Sequence, residues 1–269
     1  MIDLIEIRPV PFHAIKLIDV LVRAMSEHDP DTAQHLEATA RIAEQTARAM
    51  GLPEPIVTRS RNGARLHDIG KIDLDLNILR KPGKLTSFEW KLVKLHPGRG
   101  EEILREIPLL RELAPIVGAH HERFDGRGYP NNLMSHEIPL ESRIISVADA
   151  FEAMTGWRSY RKPLSVDAAL FELAANSGTQ FDPAVVNAFL AAHAMASEDR
   201  KRTEYVLTGL PALEKETSRD DRPVCEMWRL DGLQCPIGDG VLVPATSPCR
   251  TSGRRNRLSV SSMSEELCA

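Results

Sequence analysis

Cysteine is scarce in this chain. Cys225, Cys235, Cys249 and Cys268 are all there are, with no CxxC pair and none before residue 225. This spacing speaks against a disulfide framework or a structural zinc site, and the thiols read as reduced and inert. Any metal site in the first 224 residues must therefore use nitrogen and oxygen donors. Such donors suit iron, manganese, cobalt, nickel or zinc and exclude iron–sulfur chemistry. No uninterrupted apolar run approaches the roughly 18–20 residues of a membrane span, so none is expected. The N-terminus, MIDLIEIRPVPFH, carries acidic residues where a signal peptide would be basic, and the expected address is the cytoplasm. A basic excess is also missing. The net charge is −4, with a pI near 6.2, which excludes a globally basic binder of nucleic acid polymers. An anionic ligand would have to be drawn by a local site or a bound metal. No internal repeat is apparent.

What is present is enough apolar material for a sizeable core: 42% of the 269 residues are hydrophobic and 27% charged. That length accommodates one large domain, or a domain with an appendage. From 32 to 50, Ala33, Leu36, Ala40, Ala43, Ala47 and Met50 recur at spacings of three and four, one apolar stripe of a helix that Gly51 and Pro53 stop. A second helix is expected over about 54–68, ending near Gly70. A third begins at Thr86, where Thr86 and Glu89 form a capping box and Leu85 and Trp90 a hydrophobic staple; Pro97 and Gly98 interrupt it just after His96. A fourth carries Leu110, Leu113, Ile116, Val117, His120 and His121. A fifth spans about 140–155. Two more follow, capped by Ser165 and by Asp182, the latter with Pro183 in its first turn. No alternating strand pattern precedes residue 195, so the expected fold is all-α. Beyond 196 the text is broken by Gly, Pro and Ser and reads as a weakly ordered tail, with RRNRLS a solvated basic cluster. The expected division is a catalytic domain over 1–195 and a low-order tail over 196–269.

The histidines carry the chemistry. His67–Asp68 is a weak doublet alone, and His28–Asp29 repeats it. Yet His35 lies beside the apolar stripe, His96 at a helix end, His120 and His121 in an apolar helix, and Asp149 within IISVADAF. From His35 to His67, His67 to His96, His96 to His120 and His121 to Asp149 the gaps are 24–32 residues, each about one helix and a loop. Each helix thus contributes one or two donors to a common centre, as in metal sites of helical bundles. Taken singly, each histidine is more economically a packed or surface residue. Jointly, five imidazoles and two carboxylates buried without a metal would be costly. On a helix, His120 and His121 diverge by about 100°, which favours at least two metals bridged by Asp68. Two divalent ions and two carboxylates leave a positive excess suited to a phosphodiester, and a hydroxide bridging the metals would attack phosphorus in line. Lys71, three residues after Asp68, could hold a phosphate oxygen or the leaving oxygen.

HDIGK, HHERFDGRGYP, and VADAFEAMTG with RSYRKP together resemble the HD-GYP family of bacterial cyclic di-GMP phosphodiesterases, within the HD phosphohydrolase superfamily. ILRKPGKLTSFEWKLVKLHPGRGEEIL, IPLESRI and SGTQFDP agree, so the resemblance runs from about 14 to 192. It implies an all-α HD-domain helical bundle with a central site for two or three divalent metals, usually iron or manganese. The implied reaction is hydrolysis of cyclic di-GMP to pGpG and onward to GMP. The ligands it implies are His35, His67, Asp68, His96, His120, His121 and Asp149, with Asp68 and Lys71 catalytic. Asp31 stands where members with three metals carry a glutamate. Arg158 and Arg161 match positions that bind guanine or phosphate, and Asp29 is a further substrate contact.

The chain departs from the family pattern at Asp75 for a proline, Asn132 and Ser135 for glycines, Glu152 for an aspartate, and Ser159 within RSYR. None removes a ligand. The GRGYP loop is expected at the pocket edge or a partner surface, so a signalling protein or a second copy of the chain is an expected partner. Two other readings stand beside the leading one: an HD hydrolase of another nucleotide, and a catalytically silent scaffold that binds a cyclic dinucleotide.

Overall fold

The computed structural model describes residues 11–28, 30–81, 83–156 and 162–194. Asp29, Arg158 and Arg161, the side chain of Asp31 and the expected tail over 196–269 lie outside the described residues. The helices are α1 (Phe12–His28), α2 (Pro30–Ala49), α3 (Glu54–Leu66), α4 (Leu76–Leu79), α5 (Ser87–Val93), α6 (His96–Arg105), α7 (Ala114–Gly118), α8 (Leu140–Thr155), α9 (Val166–Ala175) and α10 (183–194). Short 3-10 turns cover Ile69–Asp73, Arg111–Leu113 and Ser135–Glu137. Among the described residues the β-type pairing is one isolated bridge, Ser177 with Phe181. No helix there is long and apolar enough to cross a membrane.

The α2 stripe forms as its spacing dictates: Leu36, Ala40, Ala43 and Ala47 are fully buried. Its alanines let α3 and α8 pack closely against it. α8 is buried on nearly every side through Ile144, Ile145, Val147, Ala148, Phe151 and Met154, which makes it the central helix. α1 covers α2 and α3 with Ala14, Ile18, Val22 and Met25. α9 closes on α8 with Ala169 and Leu173, and Phe189 of α10 meets Phe151 at 4.9 Å between ring centres.

The expected caps form. Thr86 Oγ1 accepts from the Glu89 amide at 3.2 Å, and Glu89 Oε2 accepts from the Thr86 amide at 2.6 Å. Ser165 Oγ accepts from the Ala168 amide at 3.2 Å, and Asp182 Oδ1 from the Ala184 amide at 2.8 Å.

Two helix readings are corrected. The break near Pro97 falls before His96: α5 ends at Val93, and Pro97 sits in the first turn of α6, where its missing N–H has no partner to lose. The expected fourth helix is a 3-10 turn followed by the short α7, again with a proline, Pro115, in its first turn. α7 ends at Gly118, so His120 and His121 lie in the turn beyond it and are not on a helix.

Two backbone features fix the loops around the site. Gly70 crosses α6 so tightly that a Cβ there would stand 2.0 Å from the His96 carbonyl oxygen and 2.6 Å from the Gly100 nitrogen. Asn132 and Ser135, at the positions of family glycines, both adopt left-handed backbone, with φ of 56° and 54°.

Candidate metal centre

Five segments deliver the site: the second turn of α2 with His35, the residues just after α3 with His67 and Asp68, the start of α6 with His96, the turn after α7 with His120 and His121, and the middle of α8 with Asp149. The structure brings all seven side chains together. Their donor atoms form three overlapping groups that could each hold a metal ion: His96, His120 and His121; His35, His67 and Asp149; His67, Asp68 and His120.

Asp68 stands between the groups. Its Oδ1 is 3.3 Å from His96 Nε2, while its Oδ2 is 3.5 Å from His67 Nε2 and 3.9 Å from His35 Nε2. Asp149 Oδ1 lies 3.2 Å from His35 Nε2 and 3.7 Å from His67 Nε2. Lys71 Nζ donates to Asp68 Oδ2 at 3.0 Å. His96 Nε2 and His120 Nε2 lie 3.2 Å apart, two lone-pair positions aimed at one point.

That aim has a local cause. His67 Nδ1 donates to the Ala64 carbonyl at 2.7 Å, His96 Nδ1 to Val93 at 2.7 Å, and His120 Nδ1 to Val117 at 2.6 Å. Each ring lies just past a helical segment whose last carbonyls lack intrahelical partners. The ring takes one of those carbonyls three residues upstream, which fixes the tautomer and leaves Nε2 as the inward donor. His120 and His121 converge because they have left the helix; their ring centres are 4.1 Å apart. The 100° divergence expected on a helix does not apply, and both rings join His96 in one group.

The electrostatics suit a cation. Burial, reinforced by neighbouring imidazoles, pushes His120 and His121 well below the usual histidine range, so their rings stay neutral. Burial would raise Asp68 and Asp149, but His67 and Lys71 around the first, and His35 and His67 around the second, hold both well below the usual carboxylate range. At His35, burial is outweighed by Asp149 and Glu152, and the ring is pushed up to about 9. Asp68 Oδ1 and His121 Nε2 are buried without a formed hydrogen bond. Buried lone pairs of this kind are costly unless something electropositive meets them. The donor set therefore fits divalent cations.

Three residues in the surroundings join the site, of which only Tyr129, in the loop expected at the pocket edge, had a place from sequence. Glu152, one turn after Asp149 on α8, accepts from His35 Nδ1. Glu122 is buried and accepts from the amides of Asn131 at 2.6 Å and Leu133 at 3.1 Å, pinning the loop after the adjacent histidines. Tyr129 in that loop lies 4.9 Å from the His121 ring centre, and Lys94 Nζ stands 4.9 Å from the Tyr129 ring. The loop is tied to the 179–181 segment by the amides of Phe124 and Asp125, which donate to Gln180 at 3.1 Å and Thr179 at 2.8 Å. The three-residue spacing from Asp149 puts Glu152 on the same face of α8, but nothing in the sequence pairs it with His35 of α2. No such periodicity marks Glu122 or Tyr129.

Known proteins agree with this architecture. The chain is 41% identical over 180 residues to the cyclic di-GMP phosphodiesterase response regulator RpfG of Xanthomonas campestris pv. campestris, covering 66% of this chain and 48% of the relative. It is 36% identical over 177 residues to 3'3'-cGAMP-specific phosphodiesterase 2 of Vibrio cholerae, covering 65% of this chain and 34% of that protein. The chain thus spans about half the length, or less, of these curated relatives. The crystal structure of a cyclic GMP-AMP specific phosphodiesterase from V. cholerae shares the fold at a TM-score of 0.50 and 21% identity, over 71% of this chain and 50% of that one. Residues 19–185 match the family model described as HD domain, which spans the whole donor cluster, and this chain belongs to the HD-domain family.

Proposed function

We propose that this chain is a metal-dependent phosphodiesterase that hydrolyses cyclic di-GMP to linear pGpG, with GMP as the product of a second cut. The observation that carries the reading is the placement of Asp68, whose two carboxylate oxygens face opposite groups of imidazoles. A carboxylate so placed fits a bridge between two cations. HD domains bind divalent metals, and the three overlapping donor groups could be shared between two such ions. Asp68, His96, His120 and His121 would hold one; His35, His67, Asp149 and Asp68 would hold the other. The nitrogen and oxygen donor set accepts iron or manganese, the metals that the family resemblance implies. A third ion would draw on Asp31. Bound cations supply Lewis-acid chemistry, lowering the pKa of a water and neutralising phosphate charge.

The chain's own residues do the rest. The backbone-held imidazoles keep the donors aimed, so little reorganisation accompanies charge development. Water adds to phosphorus, the ester bond to one ribose oxygen breaks, and that oxygen takes up a proton. Lys71 is half-buried with its ammonium held at the edge of the cluster by Asp68, where it can steady a phosphate oxygen or the departing ribose oxygen. Arg158, Arg161 and Asp29 complete the reading as substrate contacts. Similarity to phosphodiesterases of cyclic di-GMP and of 3'3'-cGAMP supports a cyclic dinucleotide as the substrate class. A cytoplasmic setting belongs to the same reading, and the GYP loop offers a surface for a signalling partner or a second copy.

Turnover by iron- or manganese-loaded protein, with metal content verified, tests this. Linear product from cyclic di-GMP is expected, at a higher kcat/KM than from 3'3'-cGAMP. Tight binding without product would establish the silent scaffold instead, and preference for a nucleoside triphosphate would make the chain another kind of HD hydrolase.

A further inference from the structure

His35 differs from the other ligating histidines in how its outer nitrogen is held. His67, His96 and His120 each use a carbonyl at a helix end. His35 lies inside α2, which runs from Pro30 to Ala49, and the carbonyls beneath it are engaged in the helix's own ladder. An interior helical histidine therefore needs an acceptor from another element. That acceptor is Glu152 of α8, whose carboxylate receives the Nδ1 proton. The same helix presents Asp149 to Nε2 of the same ring at 3.2 Å. One turn of α8 thus grips both nitrogens of His35. Its fit is close: a Cβ on Gly156 would come within 2.7 Å of Glu152 Oε1, so the bare backbone there leaves room for the carboxylate.

We propose that Glu152 is a positioning residue for one half of the metal centre. It sets the tautomer and aim of His35, strengthens that imidazole as a donor, and so makes the His35–His67–Asp149 group a tighter cation site than carbonyl-held imidazoles alone would give. A carboxylate is a stronger acceptor than a carbonyl, and a histidine backed by one is the more basic ligand. The effect is confined to one group, since Glu152 lies against His35, while His96 and His120 of the other group have their own carbonyl partners. This inference rests on the reading of the cluster as a two-cation centre.

The test is cation binding by the full chain, with Mn2+ and Co2+ alone as probes. Stoichiometry is measured after dialysis against graded chelator, and the Co2+ ligand-field spectrum is recorded for wild type, Glu152→Ala and Glu152→Gln. Wild type is expected to bind two ions. Glu152→Ala should lose about 10–100-fold in affinity for one of them, with that ion's spectral component shifted and the other unchanged. Glu152→Gln, whose amide oxygen still accepts from Nδ1 as a carbonyl does, should restore the aim of the ring and recover part of the loss. Equal weakening of both ions, or failure of Gln to recover more than Ala where both variants melt like wild type, would assign Glu152 to general packing and overturn the inference. Two ions bound by every variant with unchanged affinity would overturn it while leaving the two-cation reading intact. A wild-type chain that binds no ion would overturn both.

Discussion

Asp68 and Lys71 sit three residues apart and are joined by one hydrogen bond, yet they have separable consequences. Removing Asp68 takes a donor from both groups, so Asp68→Ala should lose bound metal and activity together. Loss of a direct donor exceeds the roughly 10–100-fold cost of an outer partner, so the affinity should fall by more than about 100-fold. Metal analysis beside product formation checks this, and retained stoichiometry would end the bridging role. Lys71 holds no cation. Lys71→Ala should keep the metal and lower kcat by about 10²–10³-fold, the usual cost of one electrostatic contact in the transition state. At this scale the sequence was highly legible. The buried donors themselves were marked by residue type and spacing. What it did not announce was the outer contact at His35, because Glu152 reads as an ordinary helical glutamate until α2 and α8 are seen side by side.

Between residues and the whole chain, helix ends matter more than helix middles. The apolar stripe of α2 was readable because burial there repeats with the helical period. The short pieces were not. Leu110, Leu113, Ile116 and Val117 mimic one amphipathic helix, although the chain there changes from a 3-10 turn to α7. Pro97 and Pro115 were the available signal, since proline starts a helix more readily than it interrupts one. The loop after His121 carries a measurable strain. Ser135 holds φ of 54°, which costs an L-residue about 1–2 kcal/mol, partly offset because glycine loses more chain entropy on folding. Ser135→Gly should therefore stabilise by about 0.5–1 kcal/mol, read as a higher urea midpoint at unchanged slope. The cap of α5 predicts a pH effect. The Lys81 hydrogen bond, with those to Thr86, lowers Glu89 from 4.5 to about 2. A depressed carboxylate contributes stability above its unfolded value and loses it as pH falls toward the folded one. Thermal melts between pH 5 and 2.5 should thus fall less steeply for Glu89→Gln than for wild type.

At the scale of the molecule, the donor cluster is a cost to the fold until a cation meets it. Five imidazoles and two carboxylates converge in the interior, and two of their donor atoms lack a hydrogen bond. Ligand that binds only the folded chain stabilises it by about 2.7 kcal/mol at a hundredfold excess over Kd, which for a domain of this size is about 5–10 °C. Chelator-treated protein should gain that much in Tm on titration with Mn2+, and Asp68→Ala should gain far less. The convergence was foreseeable from sequence because each donor arrives about one helix and a loop after the last. A bridging place for Asp68 was expected as well; which of its oxygens turns to which neighbour was not legible, since that depends on how the five segments pack.

The naked backbone of Gly70 against α6 gives this arrangement its least forgiving point. A single methyl inserted there would act as a wedge, prising the 68–71 segment from the chain beneath it and parting Asp68 from His96. Alanine at 70 would then imitate the loss of a ligand, although every donor atom was still present.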